Sequence, residues 1–200
     1  MITMISREAV IDKTARIGRN LSIWDFSEIR ENAIIGDHVS LGRNVYVGPG
    51  VIVGDFSRVQ NNVNLYEPAK IGNYVFIGPN SVLTNDKFPS ILLDGIMLKT
   101  LGTWAPLGVE IEDFVSIGAS VTIIGGIRIG HHSMVGAGSI VTKDVPCHAL
   151  VFGNPAKIVA RIGKQMEKLE EVSDQEFVSP ITGERYEVLE SGCLKAKINS

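Results

Sequence analysis

Cysteine is nearly absent from this 200-residue chain, which carries only Cys147 and Cys193. Two thiols so far apart in sequence do not make a disulfide scaffold, so free thiols in a reducing cytosol are expected. Aromatic residues are scarce at 6%. Neither sign of charge dominates: the formal net charge is -3 and the pI near 5.8, which argues against a nucleic-acid partner. No stretch approaches the roughly 18 apolar residues of a membrane span. The opening MITMISREAV lacks the basic and apolar regions of a signal peptide. The expectation is a soluble, cytoplasmic protein with no membrane partner. Glycine, by contrast, is plentiful at 21 residues and suits a fold of many tight corners.

Aliphatic residues recur at every sixth position. From Ile11 the series runs through Ile17, Ile23, Ile29, Ile35, Leu41, Val47, Val53, Val59, Leu65, Ile71 and Ile77 to Leu83, thirteen in succession. A second series follows at Ile111, Ile117, Ile123, Ile129, Val135 and Val141. The 28 residues from Leu83 to Ile111 are not a multiple of six, so the repeat is interrupted by an excursion at about 87–105. Two residues before each anchor stands a small or apolar residue, such as Ala33, Val45, Ser57 or Ser81, which is the two-residue period of a strand. Glycine often follows the anchor, as at Gly36, Gly54 and Gly118, where it turns a corner at low steric cost.

Three such units close a triangular coil of 18 residues, and coils stack about 4.8 Å apart as parallel strands. A period of six fits neither an α-helix nor a coiled coil. The expected fold is therefore all-β: a parallel β-helix over residues 1–153, of about six or seven coils. Residues 154–200 are expected to form a C-terminal α-helix and a short β tail. Asn154 suits the N-cap and Pro155 the first turn, while Ile158, Ile162, Met166, Leu169 and Val172 share one helical face. Such a helix would cover the open edge of the last coil. Residues 185–189 and 193–197 read as a hairpin.

Chemistry is expected where the regularity breaks. Gln60, Asn61, Asn62, Asn64, Tyr66 and Glu67 crowd polar groups around two anchors. Glu67 lies two residues after Leu65 and Asn85 two after Leu83, so the coil places them side by side, with Asp86 adjacent. Two carboxylates and an amide at the mouth of the excursion would hold a substrate ammonium and accept its proton. Gln60, Asn62, Asn64 and Tyr66 are the accompanying candidate substrate contacts. An asparagine ladder satisfying the backbone at the corners is the stronger reading of Asn61 and Asn62. His131 and His132 follow Ile129-Gly130 in a corner and are the alternative general bases.

The [LIV]-G-x-x-[STAV]-x pattern resembles the hexapeptide-repeat acyltransferases, which implies a left-handed β-helix. QNNVNLYE (60–67) and IGNYVFIGPNSVLTND (71–86) resemble the N-acetyltransferases that modify nucleotide-linked 3-amino sugars for bacterial surface polysaccharides. The likeness runs from about Ile11 to Val159, and SPITGERYEVL is similar to one branch of that family. It implies Glu67, Asn85 and Asp86 at the sugar amine, a homotrimer, and acetyl-CoA lying in the cleft between neighbouring prisms. Ala119 and Ala137, one coil apart, would leave backbone amides open to the pantetheine arm, and Lys143 and Lys157 would meet its phosphates. No metal is expected. Asp86 looks like the branch using dTDP sugars and the GERY tail like the glucuronate branch. Phe88-Pro89-Ser90 lacks the arginine that the glucuronate branch carries there, so UDP and dTDP both stay open.

The expected reaction is direct attack of a neutral amine on the thioester. Cys147 and Cys193 lie outside the polar cluster, which argues against an acyl-enzyme. A zinc-dependent carbonic anhydrase would need histidines at a spacing that His38, His131, His132 and His148 do not supply. A non-catalytic scaffold, and an acyltransferase acting on another small amine or alcohol such as an amino acid derivative, are the remaining alternatives.

Overall fold

Each hexad forms a two-residue strand followed by a turn, and three strands close each coil. A computed structural model of the chain describes residues 3–93, 95–100 and 102–197. The result is a left-handed parallel β-helix whose three faces are parallel sheets. The first sheet runs from Met4–Ile5 through Ser22–Ile23 and onward to Met134–Val135 and Ala149–Gly153, giving eight levels. The second begins at Val10–Ile11 and has seven strands, and the third begins at Arg16–Ile17 and has six. Pairing is offset by one coil, as in Arg58 with Phe76, and jumps the excursion intact, pairing Phe76 with Ser116. The prism has more coils than expected because strands flank the anchor series at both ends.

The anchors fill the interior. Ile23, Leu41, Leu65, Ile77, Leu83, Ile117 and Ile123 are all fully buried. The small residues two places earlier include serines that serve the backbone of a neighbouring coil. Ser57 Oγ donates to the Gly72 carbonyl at 2.9 Å and accepts from Val75 N–H at 3.0 Å, and Ser81 does the same with Gly118 and Val121. A hydroxyl is therefore tolerated in a narrow apolar prism because both its roles are met.

The glycines act differently from the expectation. Gly54 carries no left-handed backbone; a Cβ there would lie 2.6 Å from the Gly72 carbonyl carbon of the next coil. Close approach of coils, not the turn, demands glycine. The left-handed residue comes two places later, as at Asn44, Phe56 and Tyr74.

The edge between the third and first sheets is a continuous ring stack. His38, Phe56, Tyr74, Phe114 and His132 lie 4.6 to 5.1 Å apart with interplanar angles of 2° to 7°. His148 continues the stack 5.0 Å beyond His132 and is buried, its Nδ1 2.9 Å from the Ile162 carbonyl. Bulky residues in left-handed backbone cost roughly 1–2 kcal/mol each, and aromatic pairing returns about 0.5–1.5 kcal/mol. The two nearly cancel. Beside the rings, each corner amide donates to the side chain one coil on: Asp37 N–H to Asp55, Asp55 N–H to Asn73 and Asn73 N–H to Asp113, at 2.7 to 2.8 Å.

The expected C-terminal helix does not form; among the described residues there is no helix, and so none long and apolar enough to cross a membrane. Asn154-Pro155 is instead a turn joining Ala149–Gly153 to an antiparallel strand, Ala156–Arg161. The last parallel strand offers a row of open backbone groups, and a strand satisfies them where a helix does not. The three- and four-residue spacing misled because its members go to different places. Ile162 and Leu169 are buried, whereas Ile158 and Val172 are half exposed. The edge is thus covered as expected, by another element. The expected hairpin is present as Arg185–Val188 with Leu194–Ala196, inside a four-stranded antiparallel sheet with its own small core of Leu169, Tyr186 and Leu194.

Two outcomes follow from this packing. Gly54→Ala should destabilise the prism by about 1–3 kcal/mol through overpacking, read as a lower denaturation midpoint. Burial pulls His148 down to about 4 from the ordinary 6.5, so it folds neutral and the unfolded chain takes up the proton first. Its contribution is complete above pH 6.5 and lost as pH falls toward about 4. In a series of melts against pH, His148→Phe should flatten this acid limb, since phenylalanine already occupies equivalent rungs at Phe56 and Phe114.

Candidate functional site

The excursion opens on the edge between the second and third sheets. Leu65 pairs with Leu83, so Tyr66-Glu67 and Thr84-Asn85 leave adjacent strands at equivalent corners. The chain returns over the same corner: Leu107 N–H donates to the Asn85 carbonyl at 2.8 Å, and Gly126 N–H to the Leu107 carbonyl at 3.2 Å. Gly125 is obligatory beneath it, because a Cβ there would lie 2.7 Å from the Leu107 oxygen. Gly48, one coil before Tyr66, makes room in the same way; a Cβ would stand 2.8 Å from Glu67 Oε2. Tyr66 packs against Tyr46 with centroids 5.5 Å apart. Burial pushes the Tyr46 hydroxyl above its usual pKa, and the Glu67 carboxylate adds to the rise.

Asp86 is the foot of the excursion. Its Oδ1 accepts the Phe88 N–H at 3.0 Å, and its Oδ2 pairs with the Lys99 ammonium. Lys99 also donates to the Phe88 carbonyl at 3.1 Å and sits 5.0 Å over the Trp104 ring. Its side chain is only 8% exposed. A buried cation therefore ties both ends of the excursion to Asp86, and between them Leu92–Leu93 and Met97–Leu98 form an antiparallel pair. Lys99 and Trp104 had no signal in the sequence beyond belonging to a long insertion. Tyr46 was findable, since it lies one coil before Asn64, with which it pairs.

The remaining candidates lie on other parts of the prism. Gln60, Asn61 and Asn62 occupy the edge between the first and second sheets, and Asn64 lies on the second sheet itself. Asn62 is a rung of a ladder, accepting from Asn44 at 3.1 Å and donating to Asn80 at 3.0 Å. Asn61 Oδ1 accepts the Arg43 N–H at 2.9 Å. That pattern stops one coil later, because Pro79, Ala119 and Ala137 carry no side-chain carbonyl. Ala119 and Ala137 do stack, with the Gly138 N–H donating to the Ala119 carbonyl at 2.8 Å. Among the described residues, the amides of Ala119 and Ala137 meet no acceptor.

Lys143 and Lys157 come together at the end of the prism. Both are exposed and line one cleft of about 370 Å³, with Asp144 and Pro155 on its walls. With the edge between the first and second sheets taken as the first edge, that between the second and third as the second and the ring-stack edge as the third, His131 and His132 are on the third edge, away from Glu67. Burial, reinforced by His131, holds His132 below the usual histidine range, and its ring is sandwiched between Phe114 and His148. Among the described residues no three His, Cys, Asp or Glu side chains converge in a metal-binding arrangement.

Comparison with known proteins accords with this geometry. The pattern described as bacterial transferase hexapeptide (six repeats) matches residues 14–49, 32–66 and 50–85. The hexapeptide repeat of succinyl-transferase matches residues 108–143, so together they span more than half of the chain. Serine acetyltransferase 4 of Arabidopsis thaliana is 52% identical over 56 residues, 28% of this chain and 16% of that protein. The dTDP-3-amino-3,6-dideoxy-alpha-D-galactopyranose 3-N-acetyltransferase of Aneurinibacillus thermoaerophilus is 44% identical over 71 residues, 36% of each chain. The chain thus covers about a third or less of the length of these relatives. A solved structure of a variant of AntD, an N-acyltransferase from Bacillus cereus, in complex with dTDP and coenzyme A superposes with a TM-score of 0.51. It is 21% identical, and the match covers 82% of this chain and 83% of that one, a likeness of fold. With the two hexad series and the three-sheet prism, these matches place the chain in the hexapeptide-repeat transferase family.

Proposed function

We propose that this chain moves an acetyl group from acetyl-CoA to the 3-amino group of a UDP- or dTDP-linked amino sugar. The observation that carries the proposal is the second edge, where Glu67 and Asn85 occupy matching corners at the mouth of an excursion anchored on Asp86. Lys99 already neutralises Asp86, so Asp86 positions the excursion while Glu67 orients the amine and draws off its proton. Among the described residues Glu67 forms no salt bridge. Asn85 supplies a neutral amide beside it. The amine attacks the thioester directly, open backbone N–H groups receive the developing oxyanion, and the thiol departs.

The donor has its own edge. The bare corner at Ala119 and Ala137 suits an extended pantetheine arm, whose amides need backbone partners, and the Lys143–Lys157 cleft suits phosphates. One face of the prism separates this corner from Glu67. A homotrimer resolves the separation by laying one copy's donor edge against its neighbour's acceptor edge. Exposed Phe88, Ile91 and Ile96 on the excursion fit burial against such a neighbour. The relatives named above support the acetyl-transfer chemistry. The serine acetyltransferase match favours one second reading, an acceptor that is a small amino acid rather than a sugar.

Thiol release from acetyl-CoA, measured against UDP- and dTDP-linked 3-amino sugars with serine as a control, decides the acceptor. Release dependent on one nucleotide sugar is expected. A folded protein that binds CoA but releases thiol with serine alone would sink the sugar assignment. Glu67→Gln and Asn85→Ala should each lower kcat/KM by about 10²-fold or more. The double change Lys143→Ala with Lys157→Ala should raise the KM for acetyl-CoA roughly tenfold and leave kcat unchanged.

A further inference from the structure

Cys147 and Cys193 lie far apart in sequence, yet the fold sets them together. Cys147 belongs to the loop that ends the prism, and its N–H donates to Cys193 Sγ at 3.0 Å. Its own thiol points at the Leu194 carbonyl, 3.6 Å away, at the start of a strand in the tail sheet. Both sulfurs are free thiols; Cys147 is buried and Cys193 partly exposed. Two clefts of about 560 and 500 Å³ flank the pair, and both are lined by the two cysteines, His131 and Ser191. Small molecules therefore have access from two sides. Arg161 lies near enough for its charge to act on both sulfurs, and its buried Nη1 meets no hydrogen-bond partner among the described residues. Burial holds Cys147 up at about 12, as expected of a thiol that reacts second.

We propose that Cys147 and Cys193 form an exchange-active pair, which a low-molecular-weight disulfide oxidises to an intramolecular bond tying the last coil to the tail sheet. Cys193 thiolate attacks one sulfur of the small disulfide, its S–S bond breaks, and one small thiolate leaves. Cys147 then gives its proton to water and attacks Cys193 Sγ, displacing the second small thiolate. Two protein thiols are oxidised, and one small disulfide is reduced to two small thiols after protonation. The product constrains the unfolded chain by closing a long loop, so the oxidised form should melt at a higher temperature. The site lies on the third edge and the tail, apart from Glu67.

The test treats the full-length protein with oxidised glutathione, counts free thiols after denaturation and maps the peptides by mass spectrometry. The expected result is loss of both thiols, no retained glutathione, one peptide pair linked through Cys147 and Cys193, and reversal by dithiothreitol. Cys147→Ser should trap glutathione on Cys193, and Cys193→Ser should leave Cys147 unmodified. Persistence of both thiols in the wild-type protein, a glutathione adduct that never resolves, or a link between two chains would each overturn the proposal. The wild-type peptide map decides even where a variant fails to fold.

Discussion

Everything in this molecule depends on one constraint, the parallel backbone hydrogen bonding that stacks each residue on its counterpart one coil away. Bonds such as Gly36 N–H to the Val53 carbonyl at 2.8 Å and Gly54 N–H to the Ile71 carbonyl at 2.9 Å repeat along each face. Strands of two residues have no stability of their own. The stack supplies it, and in return every side-chain position becomes a column. A column facing inward must be aliphatic or small, hence the anchors and the doubly bonded serines. Where coils nearly touch, as at Gly54 against Gly72, the residue must be glycine. A column at an edge becomes a ladder, of rings at one edge and of asparagines at another.

The candidate chemistry lies where columns stop. On the first edge the asparagine ladder ends at Asn80, and the corner amides beyond it lose the side-chain carbonyls that satisfy the earlier ones. On the second edge the excursion interrupts the chain after Asn85 and returns over it at Leu107, with Gly125 of the next coil packed against both. The ionic centre at Lys99 follows from that interruption. An insertion of this length on a prism has little apolar interior of its own, and a buried ammonium bonded to Asp86 and to the Phe88 carbonyl, and resting on Trp104, takes over the work of a core.

The same constraint explains what was legible in advance. Thirteen anchors at a period of six specify the prism and its interior, and set Glu67 and Asn85 at equivalent corners two residues beyond the paired Leu65 and Leu83, because coil arithmetic converts sequence separation into register. That arithmetic also reaches the ring stack and Tyr46, whose members recur at coil spacing. It fails once the chain leaves the prism. Lys99 meets Asp86, and Cys147 meets Cys193, through conformations that no period describes. The misread helix belongs to the same class. Ile158, Ile162, Met166, Leu169 and Val172 fit a helical face, but the open outer edge of the strand Ala149–Gly153 beside them was the stronger demand, and a strand answered it.

The three edges therefore differ in how much change they tolerate. On the third edge a ring must match the ring above and below and accept left-handed backbone, and the amides beside it are already satisfied by Asp55, Asn73 and Asp113. A substrate arriving there would have to displace contacts that hold the coils together. On the first and second edges the open amides and the polar corner belong to no ladder, so binding a ligand there costs no coil-to-coil contact. A histidine in the stack is poorly placed as a base for the same reason. The ring of His132 is held between two others, and burial lowers its pKa. Glu67, over Gly48 and beside the excursion, belongs to no ladder and forms no salt bridge among the described residues.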